Sequence, residues 1–177
     1  MAKRVARWPS RPPDWPKPPG VEDVYSVSGC MSKDFADYIP FWKHNGYWLF
    51  NSIDSIRSLA AEHSIDLSDC QFFFYEVFEM QFDADAKQWQ PFEPEKSLET
   101  AVHVPEKKQL EGYDVVTFSE RNSPECSPLS CNCLAQTIPV NQHCLLKSLE
   151  EARQQIEMGA FANSEPGPYR IFAVHSI

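Results

Sequence analysis

The sequence predicts a single-domain α+β protein with a mixed, mostly antiparallel sheet and two main helices. Three observations lead to this prediction. Residues 71–82 are rich in aromatic side chains and alternate as in a half-buried strand. Two other segments carry apolar residues at helical spacing behind a serine that can cap a helix. Of the 177 residues, 42% are hydrophobic, which is typical of one packed domain rather than of a disordered chain.

The first nineteen residues differ in composition from the rest of the chain. They hold six of the fifteen prolines and a net charge of +4. Because proline fixes the backbone dihedral φ and removes a donor, this stretch favours polyproline II or disorder. We therefore predict a disordered, basic, Pro- and Trp-rich arm over residues 1–19 and one globular domain over residues 20–177. PxxP spacings in the arm are nominal groove ligands, but such spacings arise freely in any proline-rich stretch.

The first half of the domain holds the clearest strand and the first main helix. Asn51 or Ser52 caps this helix, whose apolar positions recur on one face. A turn over residues 83–87 then joins the long strand to a returning partner, which predicts a hairpin. The elements predicted in this half are strands over residues 21–28, 47–50, 71–82 and 89–92, and a short helix over residues 34–38.

The second half of the domain holds the second main helix and the remaining strands. The Ser148 hydroxyl can accept from the amide of Glu151, and the Glu151 carboxylate can reach back to the amide of Ser148, which forms a capping box. Gly159 suits the left-handed conformation that commonly ends a helix. The strands predicted in this half cover residues 101–104, 113–119, 134–140, 143–146 and 169–175.

A repeat at an offset of 96 residues links the two helices. The identities are Asn45/Asn141, Leu49/Leu145, Ser52/Ser148 and Arg57/Arg153. In both copies a short strand leads to a capped helix and then to an aromatic strand. One interpretation is a duplicated β-α-β unit that gives a pseudo-symmetric domain. The other is that the two helices simply share their capping chemistry, and the sequence leaves both open.

Charge is unevenly distributed between the arm and the domain. The 158 residues after the arm carry 11 basic and 24 acidic side chains, a net charge of −13 that reduces to −9 with the arm. A domain this acidic repels nucleic-acid phosphates and anionic lipid and attracts basic proteins. Solubility is the simpler explanation of the same acidity. With no apolar run long enough to span a bilayer and no secretory signal, we expect a cytoplasmic protein with free thiols.

Cysteines and a histidine cluster late in the chain. They are Cys126, Cys131, Cys133, His143 and Cys144. Zinc prefers thiolate and imidazole ligands, so one hypothesis is a zinc site at these five residues. The spacing is C-x4-C-x-C rather than the C-x2-C knuckle, which argues against it. The alternatives are that the cysteines are small buried hydrophobes or that one is a thiol nucleophile paired with a histidine.

Glu76 stands among large apolar residues on one face of the long strand. A carboxylate buried in that position would have a raised pKa or a cationic partner, as a general acid or a partner-binding anchor does. The alternative is a β-bulge near residues 75–77 that turns Glu76 out to solvent.

The hairpin that follows combines aromatic and acidic residues. Exposed aromatics rimmed by carboxylates are typical of a surface that binds a basic protein. We therefore predict partner-binding residues at Glu79, Asp83, Asp85, Trp89 and Phe92. The alternative is a core hairpin whose acidic side chains merely face solvent.

No known catalytic motif surrounds a candidate nucleophile. A serine nucleophile elbow, a P-loop, a dinucleotide glycine loop and an HExxH helix are all absent from the sequence. The sequence therefore favours a non-enzymatic interaction module of the immunity-protein or inhibitor type, which neutralises a basic partner protein. The alternative is a thiol or zinc-binding protein, or an enzyme, centred on residues 126–144. No cofactor is expected apart from zinc in that alternative, and the oligomeric state is undecided.

Overall fold

The secondary structure consists of strands of very different length and two main helices. The computed structural model describes residues 2–4, 6–7, 18–27, 49–68, 70–92, 102–118 and 126–177. The elements in these ranges are β1 (Ala2–Arg4), β2 (Ala6–Arg7), β3 (Asp23–Val24), α1 (Ile53–Glu62), β4 (Cys70–Asp83), β5 (Gln88–Pro91), β6 (Gln109–Thr117), a 3-10 helix (Leu134–Gln136), α2 (Leu149–Glu157) and β7 (Tyr169–Ser176). No helix in these ranges is long and apolar enough to cross a membrane.

The main sheet joins strands that are distant in sequence. Its order is β1-β4-β7-β6, with β5 paired to the far half of β4, and each of these pairings is antiparallel. Strands β2 and β3 form a separate antiparallel pair. The predicted single α+β domain, with a largely antiparallel sheet and two helices, is confirmed. The duplicated unit stays a prediction, because its first copy begins outside the described residues.

Strand β7 lies in the middle of the sheet and is buried on both faces. Tyr169 and Ile171 point to one face, where they pack with Ala152 and Ile156 of α2. We call this the helix face. Phe172 and Val174 point to the opposite face and pack beneath segments that include Tyr25, Val27, Leu49 and Leu145. Alternating side chains therefore give the chain two apolar layers from a single strand.

Both main helices begin at the predicted serine caps. The Ser52 hydroxyl accepts from the amide of Ser55 at 3.1 Å, and the Ser148 hydroxyl accepts from the amide of Glu151 at 3.1 Å. The capping box differs from the prediction in one bond, since the Glu151 carboxylate accepts from the amide of Lys147 at 2.9 Å rather than from Ser148. That bond ties the incoming chain to the first turn of α2.

The strand predictions succeed where the strand is long and apolar. The predicted strand 71–82, its hairpin partner and the strand 169–175 are confirmed by β4, β5 and β7. β6 begins at Gln109, earlier than the predicted 113, and so includes the polar residues Gln109 and Glu111. Pairing of this end of the strand with the last residues of β7 compensates for its poor strand composition.

Three of the shorter predicted strands are wrong. Residues 134–140 begin as a 3-10 helix, because the amides of Leu134 and Ala135 bond locally to carbonyls of residues 128 and 129. Residues 102–104 are not in a strand, and Val104 is exposed. Residues 143–146 contribute only an isolated bridge between Leu146 and Tyr113. A short apolar run in the sequence fits either a strand or a helix, and the local hydrogen bonds determine which one forms.

The predicted arm and the first predicted elements are described only in part. No strand is predicted in residues 1–19, yet the backbone of β1 pairs with β4 and that of β2 pairs with β3. Residues 8–17 of the predicted arm lie outside the described residues, as does the predicted helix over 34–38. Of the predicted strand 21–28, residues Asp23–Val24 form a strand, while residues 49–50 of the predicted strand 47–50 do not.

We expect Gly112→Ala to destabilise the fold far more than Gly159→Ala. A Cβ at Gly112 would lie 2.7 Å from Leu145 Cβ and 2.8 Å from the Leu146 carbonyl oxygen, at a φ of +149°. Overpacking against backbone costs about 1–3 kcal/mol in addition to backbone strain of roughly 1–2 kcal/mol. Gly159 has a φ of +75° and nothing within 4 Å, so Gly159→Ala isolates the strain alone. Urea denaturation of both variants measures the difference, and equal losses would contradict the close approach.

Candidate protein-interaction surface

The indole of Trp89 lies where the β4–β5 hairpin meets α2. Trp89 pairs with Phe82 across the hairpin, so both rings point to the helix face. Their centroids are 5.3 Å apart, and the Phe78 ring makes an edge contact with Trp89 at 5.6 Å. Phe78 and Trp89 remain half-buried, whereas Phe82 is buried. The hairpin thus presents a partly open aromatic surface beside the helix.

Two charged residues of α2 frame the indole. The Trp89 Nε1–H donates to Glu157 Oε1 at 2.6 Å. The Arg153 guanidinium carbon lies 5.6 Å from the Trp89 ring and 5.9 Å from the Phe78 ring. Arg153 Nη2 is 3.6 Å from Glu157 Oε1, one helical turn away. Met158, the next residue, is 62% exposed. We call Phe78, Trp89, Arg153, Glu157 and Met158 the hairpin–helix surface.

The five predicted partner-binding residues do not share one surface. Trp89 belongs to the hairpin–helix surface, but Glu79 alternates to the opposite face of β4. Phe92 is also on that opposite face, where its ring centroid is 3.3 Å from the guanidinium carbon of buried Arg170 and 6.1 Å from the Phe118 ring. Phe92 therefore covers an internal cation, and of the two predicted aromatic anchors only Trp89 lies on the hairpin–helix surface.

Asp83 and Asp85 lie at the end of the hairpin and differ in role. Asp83 Oδ1 accepts from the amides of Asp85 and Ala86 at 3.0 and 2.9 Å. Its other oxygen accepts from Gln90 Nε2 at 3.3 Å. These bonds hold the turn, which leaves the exposed Asp85 carboxylate as the more accessible charge of the two.

Glu76 is exposed to solvent, although no β-bulge turns it outward. The register shift of β4 lies between Val77 and Gln81, later than the predicted bulge, and Glu76 pairs directly with Ala173. Solvent reaches Glu76 because the helices cover only the two ends of this face: α1 packs on Phe72, and α2 packs beyond residue 77. Of the two alternatives for Glu76, the structure therefore shows the exposed one, but without a bulge at residues 75–77.

Glu76 lies between the side chains of Lys108 and His175. Its carboxylate accepts from Lys108 Nζ at 2.6 Å and lies 2.6 Å from His175 Nε2. The hydrogen bond from Lys108 lowers the pKa of the Glu76 carboxyl; partial burial opposes this, and His175 adds to the lowering. A general acid needs a raised pKa, so the hypothesis that Glu76 acts as an acid is wrong.

The five residues of the predicted zinc site are not brought together as a ligand group. Across the described ranges, no three His, Cys, Asp or Glu side chains are placed to hold a metal ion. The His143 ring instead stacks on Tyr25, with centroids 4.1 Å apart, and its Nε2 lies 3.6 Å from Glu111 Oε2. Cys144 is buried in the core, whereas Cys126, Cys131 and Cys133 are half-buried.

Sequence reasoning missed a buried polar centre on the face opposite the helices. Asp114 is fully buried and accepts from Ser26 Oγ at 2.8 Å, from the Val27 amide at 2.9 Å and from Ser127 Oγ at 2.6 Å. Burial, and then the Asp114 charge, raise the pKa of Tyr75 nearby. The available signal was a charged residue next to the apolar run of each of two strands, Asp114 before Val115 in β6 and Arg170 before Ile171 in β7.

Comparisons with protein-family models, curated proteins and solved structures give no match to this chain.

We expect Asp83→Ala to destabilise the protein by about 1–2 kcal/mol, because two turn amides lose their acceptor. Asp85→Ala is the matched control, since it removes the same charge two residues away and should change stability by less than about 0.5 kcal/mol. Thermal or urea denaturation measures both. Equal stability of the two variants would contradict the structural role of Asp83.

Glu76→Gln tests the linkage of this carboxylate to stability. A carboxyl whose pKa is lowered on folding stabilises the fold above its usual pKa of about 4.5 and loses that effect as the pH falls through the folded-state pKa. We expect Glu76→Gln to cost less than about 1 kcal/mol at pH 7, since the pair is half-exposed. The difference from wild type should be smaller at pH 3 than at pH 7, because protonation of the Glu76 carboxyl removes the effect. Urea denaturation at both pH values measures it, with Glu79→Gln as the control; a constant difference would contradict the linkage.

Proposed function

We propose that this chain is a non-enzymatic interaction protein that binds a basic partner protein through the hairpin–helix surface. The observation that carries the proposal is the half-open Trp89 ring, which Glu157 holds; the exposed Met158 follows Glu157 in the sequence. Binding energy in protein interfaces concentrates in a few aromatic and large apolar side chains surrounded by polar ones. Trp89 and Met158 are such anchors, and Glu157 begins the polar rim.

Charge supports a basic partner. The chain carries 25 acidic against 16 basic side chains, and the segment after residue 19 is more acidic still. Near the surface, Asp85, Glu150 and Glu157 add negative charge, while Arg153 is already paired with Glu157. Such a field steers positively charged surfaces toward the protein and mainly raises the association rate.

Within this proposal, the chain neutralises its partner in the manner of an immunity or inhibitor protein in the cytoplasm. A small acidic body without a catalytic motif in its sequence supports that role, because occlusion of a basic surface needs shape and charge rather than chemistry. The thiol or zinc alternative receives no comparable support from the described cysteines.

Site-specific photo-crosslinking in cells that express the chain tests the proposal. A photoreactive residue at Met158 should crosslink to one basic protein, identified by mass spectrometry. The same residue at Val104, which is 54% exposed on a segment away from α2, is the matched control and should not. Equal products from both positions, an acidic product, or no product from position 158 would each contradict the proposal.

A further inference from the structure

The Arg153 guanidinium occupies an aromatic and acidic setting that fits a partner's arginine equally well. Building on the function proposed above, we propose that Phe78, Trp89 and Glu157 form a guanidinium-binding site, which Arg153 fills in the free protein and yields to an arginine of the partner. The site then specifies the partner's chemistry: an exposed arginine that inserts between the hairpin and α2.

The rings provide the first part of the site. Arg153 Cζ lies within 6 Å of both the Trp89 and Phe78 ring centroids, at 5.6 and 5.9 Å. A guanidinium at such distances is attracted by the ring quadrupoles, and Trp is the strongest partner of this kind. The two rings meet edge to face at 82°, so one cation contacts both. The geometry is already set in the free protein.

The carboxylate provides the second part and is held in place independently of Arg153. Glu157 Oε1 accepts from the Trp89 indole at 2.6 Å, which fixes the carboxylate against the ring. Arg153 Nη2 is 3.6 Å from the same oxygen, beyond the ~2.7–2.9 Å of a charge-assisted hydrogen bond. Glu157 is about half exposed, and its Oε2 accepts no hydrogen bond from the described residues. One carboxylate oxygen thus remains available to a second guanidinium.

Arg153 leaves a hydrogen-bond donor unused when it occupies this site. Its Nε is buried and has no hydrogen-bond partner within the described part of the chain. At 3.6 Å from Glu157 Oε1, the guanidinium does not make the bidentate hydrogen bonds that arginine and carboxylate prefer. An arginine from outside can make both parallel hydrogen bonds while stacking on Trp89. Displacement of Arg153 therefore replaces a long ion pair with a bidentate one.

Binding of a nona-arginine peptide to Arg153 variants tests the inference. The titration follows the indole N–H resonance of Trp89, identified among the five tryptophans by its loss in Trp89→Phe. Arg153→Ala empties the site, and Arg153→Met empties it while keeping an apolar stem over the rings. The matched control is Arg57→Ala on α1: Arg57 also lies over an aromatic ring, Phe72 at 5.7 Å, and pairs with Asp54 at 3.7 Å. It changes the net charge equally.

We expect at least about tenfold tighter binding by both Arg153 variants than by wild type, a gain that Glu157→Gln removes. Arg57→Ala should change the affinity by less than about twofold, and nona-lysine should gain less than nona-arginine. Folded Arg153 variants with wild-type affinity, or a gain equal to that of Arg57→Ala, would overturn the inference. The photo-crosslinking from Met158 tests the proposed function separately from this inference. If the chain has no basic partner, the crosslinking fails while the peptide titration can still succeed. If the partner uses no arginine at this site, the crosslinking succeeds while the titration fails.

Discussion

Placement of β7 between β4 and β6 is the constraint on which the rest of the structure depends. This strand comes last in the sequence, yet it supplies apolar side chains to both faces of the sheet, with Ile171 on one and Phe172 on the other. Neither apolar layer is complete until β7 pairs with β4 and β6. Because the partners of β7 are about 50 to 100 residues earlier in sequence, the fold depends on long-range contacts rather than on local ones.

The position of the helices on this sheet separates two chemically different surfaces. α2 lies over Ile171 and meets the hairpin, which brings Trp89 against Glu157. α1 packs on Phe72 at the other end of β4. Between them the sheet is open, and the polar group of Glu76, Lys108 and His175 fills the gap. The Glu76 carboxylate is already paired with Lys108, so the hairpin–helix surface is the more available of the two for binding.

The sequence allowed prediction of elements that local chemistry determines and failed where tertiary contacts decide. A few adjacent residues determine the helix caps at Ser52 and Ser148 and the strand formed by the aromatic run of β4. The neighbours of Trp89 in sequence suggested it as an anchor, which stays a prediction. The contact of Phe92 with Arg170 could not be predicted, because those residues are far apart in sequence. Arg153 and Glu157 were missed for the same reason: as an ordinary i,i+4 pair on a helix they give no sign of the ring above them.

Hydrogen exchange of the chain, free and bound to the protein that crosslinks to position 158, tests the central claim most directly. If the partner docks on the hairpin–helix surface, amides of residues 83–92 and 149–158 should exchange more slowly in the complex. Amides of residues 102–110, beside Lys108, should be unchanged. Protection confined to residues 102–110 and the last residues of β7, with none in the hairpin or α2, would contradict the account.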